Sequence, residues 1–136
     1  MQEVLTINGL PCGLGARDTL RTEMGYPLHG HELSLDITPV EAGANWAIGW
    51  KKESFLGKGA LDLQRSKGVA RVITGLLALD RGIPRAGMEV KKDGKIIGVV
   101  TSGTFSPSLR NGIALALLTP NIGVDEEVEI DTRGIS

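Results

Sequence analysis

The chain has 136 residues and carries 15 Lys+Arg against 16 Asp+Glu, a formal net charge of -1 that removes the electrostatic reason to expect nucleic acid or an anionic membrane as partner. Its hydrophobic fraction of 41% and charged fraction of 23% are those of an ordinary globular protein, and the single Cys12 leaves neither an internal disulfide nor a Cys-based zinc site. No apolar run approaches the ~18 residues of a spanning helix, and MQEVLTINGL lacks the basic and apolar regions of a signal peptide, so the expected location is cytoplasmic.

Residues 3–7 predict a short strand, closed by the turn dipeptide Asn8-Gly9. Ala16, Leu20 and Met24 recur at helical spacing and predict a helix over 16–24, capped by Gly25 and stopped before Pro27. Residues 33–38 alternate like a strand. The stronger signal there is Thr38-Pro39-Val40-Glu41, a capping box with Pro at the first helical position, which predicts a short helix ending at Gly43. Residues 45–50 read as a strand. Residues 57–67 predict an amphipathic helix with Ala60, Leu61 and Leu63 apolar, ended by Gly68.

From Val69 the period changes. Strands are predicted over 70–79, 88–91 and 95–101, the last two joined by Asp93-Gly94, a hairpin signal. Residues 81–87 read as a loop and 102–112 as a long polar connection. Residues 113–118 form an apolar, central strand, and 127–132 a last strand. Nineteen glycines and six prolines fit so many turns. The expected fold class is α+β, with a mixed α/β piece over 1–68 and a small antiparallel barrel or sandwich over 69–136.

Generic catalytic motifs are missing. Gly13-Leu14-Gly15 begins a dinucleotide fingerprint, but Asp18 stands where its third glycine belongs. Without a GxSxG motif, Ser102, Ser106 and Ser108 read as loop hydroxyls. His29-Gly30-His31-Glu32 lacks the distant third and fourth ligands of a metal site. Arg81 and Arg85 read as a charged loop, Cys12 as a small packed residue, and Trp46 and Trp50 as packing.

Arg17 alone poses a question. It falls in the first turn of the predicted helix, where the helix dipole disfavours a cation by roughly 0.3–1 kcal/mol. Arg21, one turn on, repels it. Asp18 suits the helix start and reaches Arg21 at i+3, but nothing local answers Arg17. It is a candidate for contact with something outside its own helix.

Several segments then acquire meaning together: GLGARDTLR at 13–21, GYPLHGHEL at 25–33, TPVEAG at 38–43, SFLGKGAL at 54–61, RGIPRAG at 81–87, TSGTFSPSL at 101–109 and IALAL at 113–117. In order and spacing, from about Leu10 to Arg133, they resemble the C-terminal part of aminomethyltransferase, the T-protein of the glycine cleavage system. The resemblance implies a three-domain folate enzyme. Such an enzyme takes the aminomethyl group from the lipoyl arm of H-protein, passes the methylene unit to tetrahydrofolate and releases ammonia. It thus implies tetrahydrofolate as co-substrate, no metal, and lipoylated H-protein as partner.

The same resemblance implies a folate-binding role for Arg17, the arginine of GLGARD, and for Tyr26, the tyrosine after that helix. A planar guanidinium suits the amide edge of a pterin or a glutamate carboxylate. His29 stands where the family has another Tyr. The regions that carry the family's catalytic Asp and a further C-terminal Arg have no counterpart here, so no catalytic residue is assigned. The resemblance therefore predicts a fragment: the C-terminal part of the folate-binding middle domain over 1–68 and the C-terminal β-barrel over 69–136. Alone it is expected to be inactive and to self-associate through exposed domain interfaces. Two alternatives stand beside this reading: another folate-dependent enzyme of the same fold, such as a demethylase or an amine dehydrogenase domain, or a non-catalytic interaction module that keeps the barrel. The TFSPSL form favours the glycine-cleavage branch.

Overall fold

The structure, a computed structural model, describes residues 6, 7 and 9–131. Helix α1 spans Leu14–Glu23 and α2 Lys58–Lys67, with a 3-10 turn at Asn45–Ala47 between them. Five strands follow: β1 Val72–Leu77, β2 Glu89–Lys92, β3 Lys95–Ser106, β4 Asn111–Leu118 and β5 Glu129–Ile130. They form one antiparallel sheet in the order β1-β4-β3-β2-β5, so the expected α+β class holds.

The sheet is built around β4, the apolar run read as a central strand. Ala114, Ala116 and Leu118 point to one face and pack with Met88, Val90 and Val100 in the hydrophobic core. Ile113, Leu115 and Leu117 point to the other face and are buried as well. A strand covered on both sides has no use for alternation, which is why the sequence there is continuously apolar. The β2–β3 hairpin closes through Asp93 and Gly94, both at positive φ (49° and 72°), the turn whose twist matches that of the flanking strands.

The 81–87 loop lies against the far end of the sheet. A Cβ on Gly103 would stand 2.1 Å from the Pro84 carbonyl oxygen, and one on Gly112 would stand 2.3 Å from that of Gly82. Only glycine admits a backbone this close.

Several expected elements differ. The polar connection expected over 102–112 is strand as far as Ser106, followed by a turn at 107–110. A bulge between Val100 and Ser102 lets β3 continue, with the Thr101 hydroxyl donating to the Leu115 carbonyl at 3.0 Å. The capping box forms, with Thr38 N–H donating to Glu41 Oε2 at 2.9 Å and Glu41 N–H to Thr38 Oγ1 at 3.3 Å. It caps turns only, however, because Gly43 at φ 67° ends the segment at once. Residues 45–50 hold the 3-10 turn instead of a strand, and 33–38 contribute only isolated bridges. Helix α2 forms where expected, but none of its residues is fully buried. Cys12 and Trp46 are exposed rather than packed, while Trp50 is partly covered by the Arg65 guanidinium, 4.8 Å from its ring. Of the strand expected over 3–7 only Thr6 and Ile7 are described, and Thr6 is helical. The end of the last expected strand, residue 132, also lies outside the described residues.

Candidate functional site

Helix α1 starts without a side-chain cap and with no acidic residue in its first turn. Its C-terminus is better made. Gly25, at φ 68°, donates its N–H to the Thr22 carbonyl at 3.0 Å, and Tyr26 N–H reaches the Arg21 carbonyl at 2.8 Å. This double closure is the Schellman pattern, and it turns the chain back on itself. The returning segment, Tyr26–Glu32, is thereby brought beside the helix it has just left.

There Arg21 and Glu32 meet. Arg21 is nine-tenths buried and Glu32 has no exposed surface. Arg21 Nη1 donates to Glu32 Oε2 at 2.8 Å and to the Tyr26 carbonyl at 3.4 Å, and Nε donates to Asp18 Oδ1 at 2.7 Å. Arg21 Nη2 donates to Ser102 Oγ at 2.7 Å, and that hydroxyl donates in turn to Glu32 Oε1 at 2.6 Å. Leu28 N–H completes the carboxylate's shell, donating to Oε2 at 3.0 Å. Burial pushes the Glu32 carboxyl upward in pKa. The bonds from Ser102, Leu28 and Thr101 and the Arg21 charge together outweigh it, and the net pKa lies below the ordinary carboxylate value.

The contact continues along β3. Ser102, Thr104 and Ser106 share the strand face that carries Leu115 and Ile113 on β4. On that face Thr19 and Thr104 pair their hydroxyls at 3.2 Å. Glu23 accepts from the Ser106 hydroxyl, and from Ser108 through its N–H at 3.3 Å and its hydroxyl at 3.1 Å. The Ser106 bond is the main reason that Glu23 also sits below its ordinary pKa; partial burial opposes it and Ser108 adds to it. His31 Nδ1 faces the Thr101 carbonyl at 2.8 Å. Since a carbonyl only accepts, Nδ1 carries the proton.

The two most distinctive sequence segments, GLGARDTLR and TSGTFSPSL, are therefore the two sides of one seam. The Asp18–Arg21 contact expected at i+3 is present. The rest differs from the sequence pattern, in which Glu32 reads only as part of an incomplete metal cluster and Ser102, Ser106 and Ser108 as loop hydroxyls. A signal was available. Ser102, Thr104 and Ser106 recur with period two, the mark of one face of a strand.

Arg17 and Tyr26 are both exposed, Tyr26 at 57%. Among the described residues Arg17 has neither an ion pair nor a side-chain hydrogen bond. A ligand role predicts that Arg17 faces a cleft, and this is not what is found: a concavity of about 1220 Å³ lies elsewhere, between β1 and residues 122–130, and neither Arg17 nor Tyr26 lines it. His29 is exposed too. No group of three or more His, Cys, Asp or Glu able to hold a metal occurs among the described residues, and no helix of the described chain is long and apolar enough to cross a membrane.

Comparison with known proteins adds a frame. Residues 71–136 match the family model of the glycine cleavage T-protein C-terminal barrel domain, and residues 1–52 match that of the GCVT N-terminal domain. The chain is 58% identical over 137 residues to an aminomethyltransferase of Parafrankia sp. (strain EAN1pec), an alignment covering 97% of this chain and 38% of that protein. It is 50% identical over 133 residues to the aminomethyltransferase of Mycobacterium tuberculosis (strain ATCC 25618 / H37Rv), covering 96% and 36% respectively. The crystal structure of glycine cleavage system aminomethyltransferase T from Bartonella henselae matches with a TM-score of 0.83 at 38% identity, over 90% of this chain and 36% of that one. The chain thus spans little more than a third of the length of these relatives.

Proposed function

We propose, for a chain that belongs to the glycine cleavage T-protein family, that it supplies one wall of a tetrahydrofolate site, with Arg17 and Tyr26 as the residues that touch the folate. The reaction served is the family's: the methylene unit of an aminomethyl-lipoyl group passes from H-protein to tetrahydrofolate and ammonia leaves. The observation that carries this reading is Arg17 itself. It has no partner among the described residues, and it stands in the first turn of α1, where the helix dipole opposes it.

The chain's own residues would bind and orient. The Arg17 guanidinium can donate two parallel hydrogen bonds to the pterin amide edge or the glutamate carboxylate. Tyr26 offers a ring face and a hydroxyl. No residue here is assigned to the chemical step, which needs a positioned carboxylate to orient the amine and stabilise charge. The 136-residue chain on its own is accordingly expected to produce no methylene-tetrahydrofolate from aminomethyl-lipoyl H-protein.

The same reading takes residues 1–68 as the C-terminal part of the folate-binding domain and 69–136 as the barrel. It takes lipoylated H-protein as partner and the cytoplasm as location. Leu10, Leu14, Leu20 and Met24 are all more than half exposed, and surface of this kind drives association. Sedimentation is expected to show dimers or larger species as concentration rises, and a clean monomer throughout would contradict this.

The test of the site is the binding of 5-formyltetrahydrofolate, a stable analogue, to the chain by titration calorimetry. Saturable binding that is weakened by Arg17→Lys is the expected result. Unchanged affinity with a lowered melting temperature would make Arg17 a structural residue and remove the reading's main support.

A further inference from the structure

We propose that Glu32 is the positioning residue of this folate site, acting through Arg21 and Ser102 to fix the aim of Arg17 and the path of Tyr26–His31; the inference rests on the folate reading above. At Glu32 three separate parts of the chain converge. Arg21 comes from α1, Leu28 N–H from the returning segment and Ser102 from β3. Each carboxylate oxygen is engaged, and neither is reachable by water.

Such a network is a poor way to gain stability. The desolvation of two charges consumes most of their attraction, and an apolar replacement of similar volume often folds as well or better. What an apolar contact cannot supply is direction. Arg21 Nη1 bridges Glu32 and the Tyr26 carbonyl, so the carboxylate sets where the chain leaves the helix. Arg21 is also anchored to Ser102, which fixes the roll of α1 against β3. Arg17 lies four residues earlier on the same side of α1, so its aim follows from that roll. The His31–Thr101 bond pins the same segment at the neighbouring β3 residue. Glu32 touches no ligand in this scheme; it holds the groups that do.

The experiment is a double-mutant cycle on the 136-residue chain, read as the dissociation constant of 5-formyltetrahydrofolate at a temperature where circular dichroism shows every variant folded. Arg17→Lys and Glu32→Gln are each expected to weaken binding about tenfold or more. The double variant is expected to be weaker than either single by less than about threefold, because a misaimed lysine has little left to lose. A purely structural Glu32 would shift the melting temperature while leaving the affinity of the folded protein alone, or would multiply with Arg17→Lys. Either result overturns the inference while leaving the folate reading standing. If Glu32→Gln does not fold, Ser102→Ala, which removes one hydroxyl from a strand, takes its place in the same cycle with the same expected non-additivity. No binding by the unmutated chain at millimolar analogue overturns the folate reading, and this inference with it.

Discussion

The two faces of β3 and β4 are held by different physics. On one face Val100, Ala114, Ala116 and Leu118 pack with Met88 and Val90, and the force is removal of apolar surface from water. On the other face Ile113, Leu115 and Leu117 are buried too, but there Ser102, Thr104 and Ser106 also meet Arg21, Thr19 and Glu23 through directed hydrogen bonds. Burial has no preferred direction, so the first face holds the sheet together without fixing the helix. A hydrogen bond weakens as its angle departs from linear, so the second face fixes α1 in register and roll. Stability and orientation are thus separable in this chain, and the following expectations test that separation.

The largest effect belongs to the polar face. Glu32→Ala leaves Arg21 without its buried counter-charge, with only the half-exposed Asp18 remaining, and breaking a buried pair in this way costs about 3–5 kcal/mol. The informative partner is the double replacement Arg21→Met with Glu32→Leu. It removes both charges together, and urea unfolding is expected to recover most of the lost stability. Folate affinity is expected not to return, because apolar packing restores cohesion without direction. Recovery of both would show that the seam serves cohesion alone. The core supplies the contrast. Leu118 is fully buried, and Leu118→Ala is expected to cost about 2–5 kcal/mol in urea unfolding. In the protein that remains folded, folate affinity should be untouched.

Acid gives a graded version of the same test. The carboxyls of Glu23, Glu32 and Glu41 all lie below the ordinary value of 4.5 in the folded chain. For Glu41, burial opposes the shift, and the Thr38 N–H with the Arg71 side chain overcomes it. A carboxyl whose folded pKa is depressed gives stability that is present above its unfolded pKa. That stability is lost as pH falls through the folded pKa. Melting temperature should therefore be flat from neutrality down to about pH 5 and fall below the unfolded value near 4.5. Glu32→Gln should flatten part of that fall. An unchanged acid limb would mean that Glu32 carries no charge-dependent stability.

How much of this was legible in the sequence follows the same division. The apolar strand 113–118, the Asp93-Gly94 hairpin, the Gly25 cap and the helix ending at Gly68 were all readable, because each depends on neighbours in the chain. The seam was not, because its bonds join residues about 70 to 85 positions apart. Ser102 to Ser106 looked like a loop for the reason that makes them useful: their hydroxyls face a polar helix instead of an apolar core. Glu32 reads in the sequence only as part of an incomplete metal cluster, and the Gly25 reversal brings it beside Arg21. Arg17 was legible as an anomaly, since the helix dipole and Arg21 made its position costly on local grounds. The resemblance to the T-protein family implies a ligand for that anomaly.

The smallest expected change in stability is at that residue. Arg17→Lys keeps the charge, and the exposed side chain makes no ion pair or side-chain hydrogen bond among the described residues, so unfolding free energy should stay within about 0.5 kcal/mol of the unmutated chain. Binding should behave differently. Lysine offers a point charge in place of a planar fork, and a site built for two parallel hydrogen bonds loses one of them. With a charge-assisted hydrogen bond at about 1.5–3 kcal/mol, the affinity for 5-formyltetrahydrofolate should fall by an amount in that range. Calorimetric titration and thermal melting on one preparation give both numbers. Weakened binding with an unmoved melt places Arg17 on the orientation side of the division, as a group that the seam aims and the fold does not need. A moved melt with unmoved binding would place it with the structural ion pairs, and the helix dipole would then be opposed for the sake of a partner within the protein.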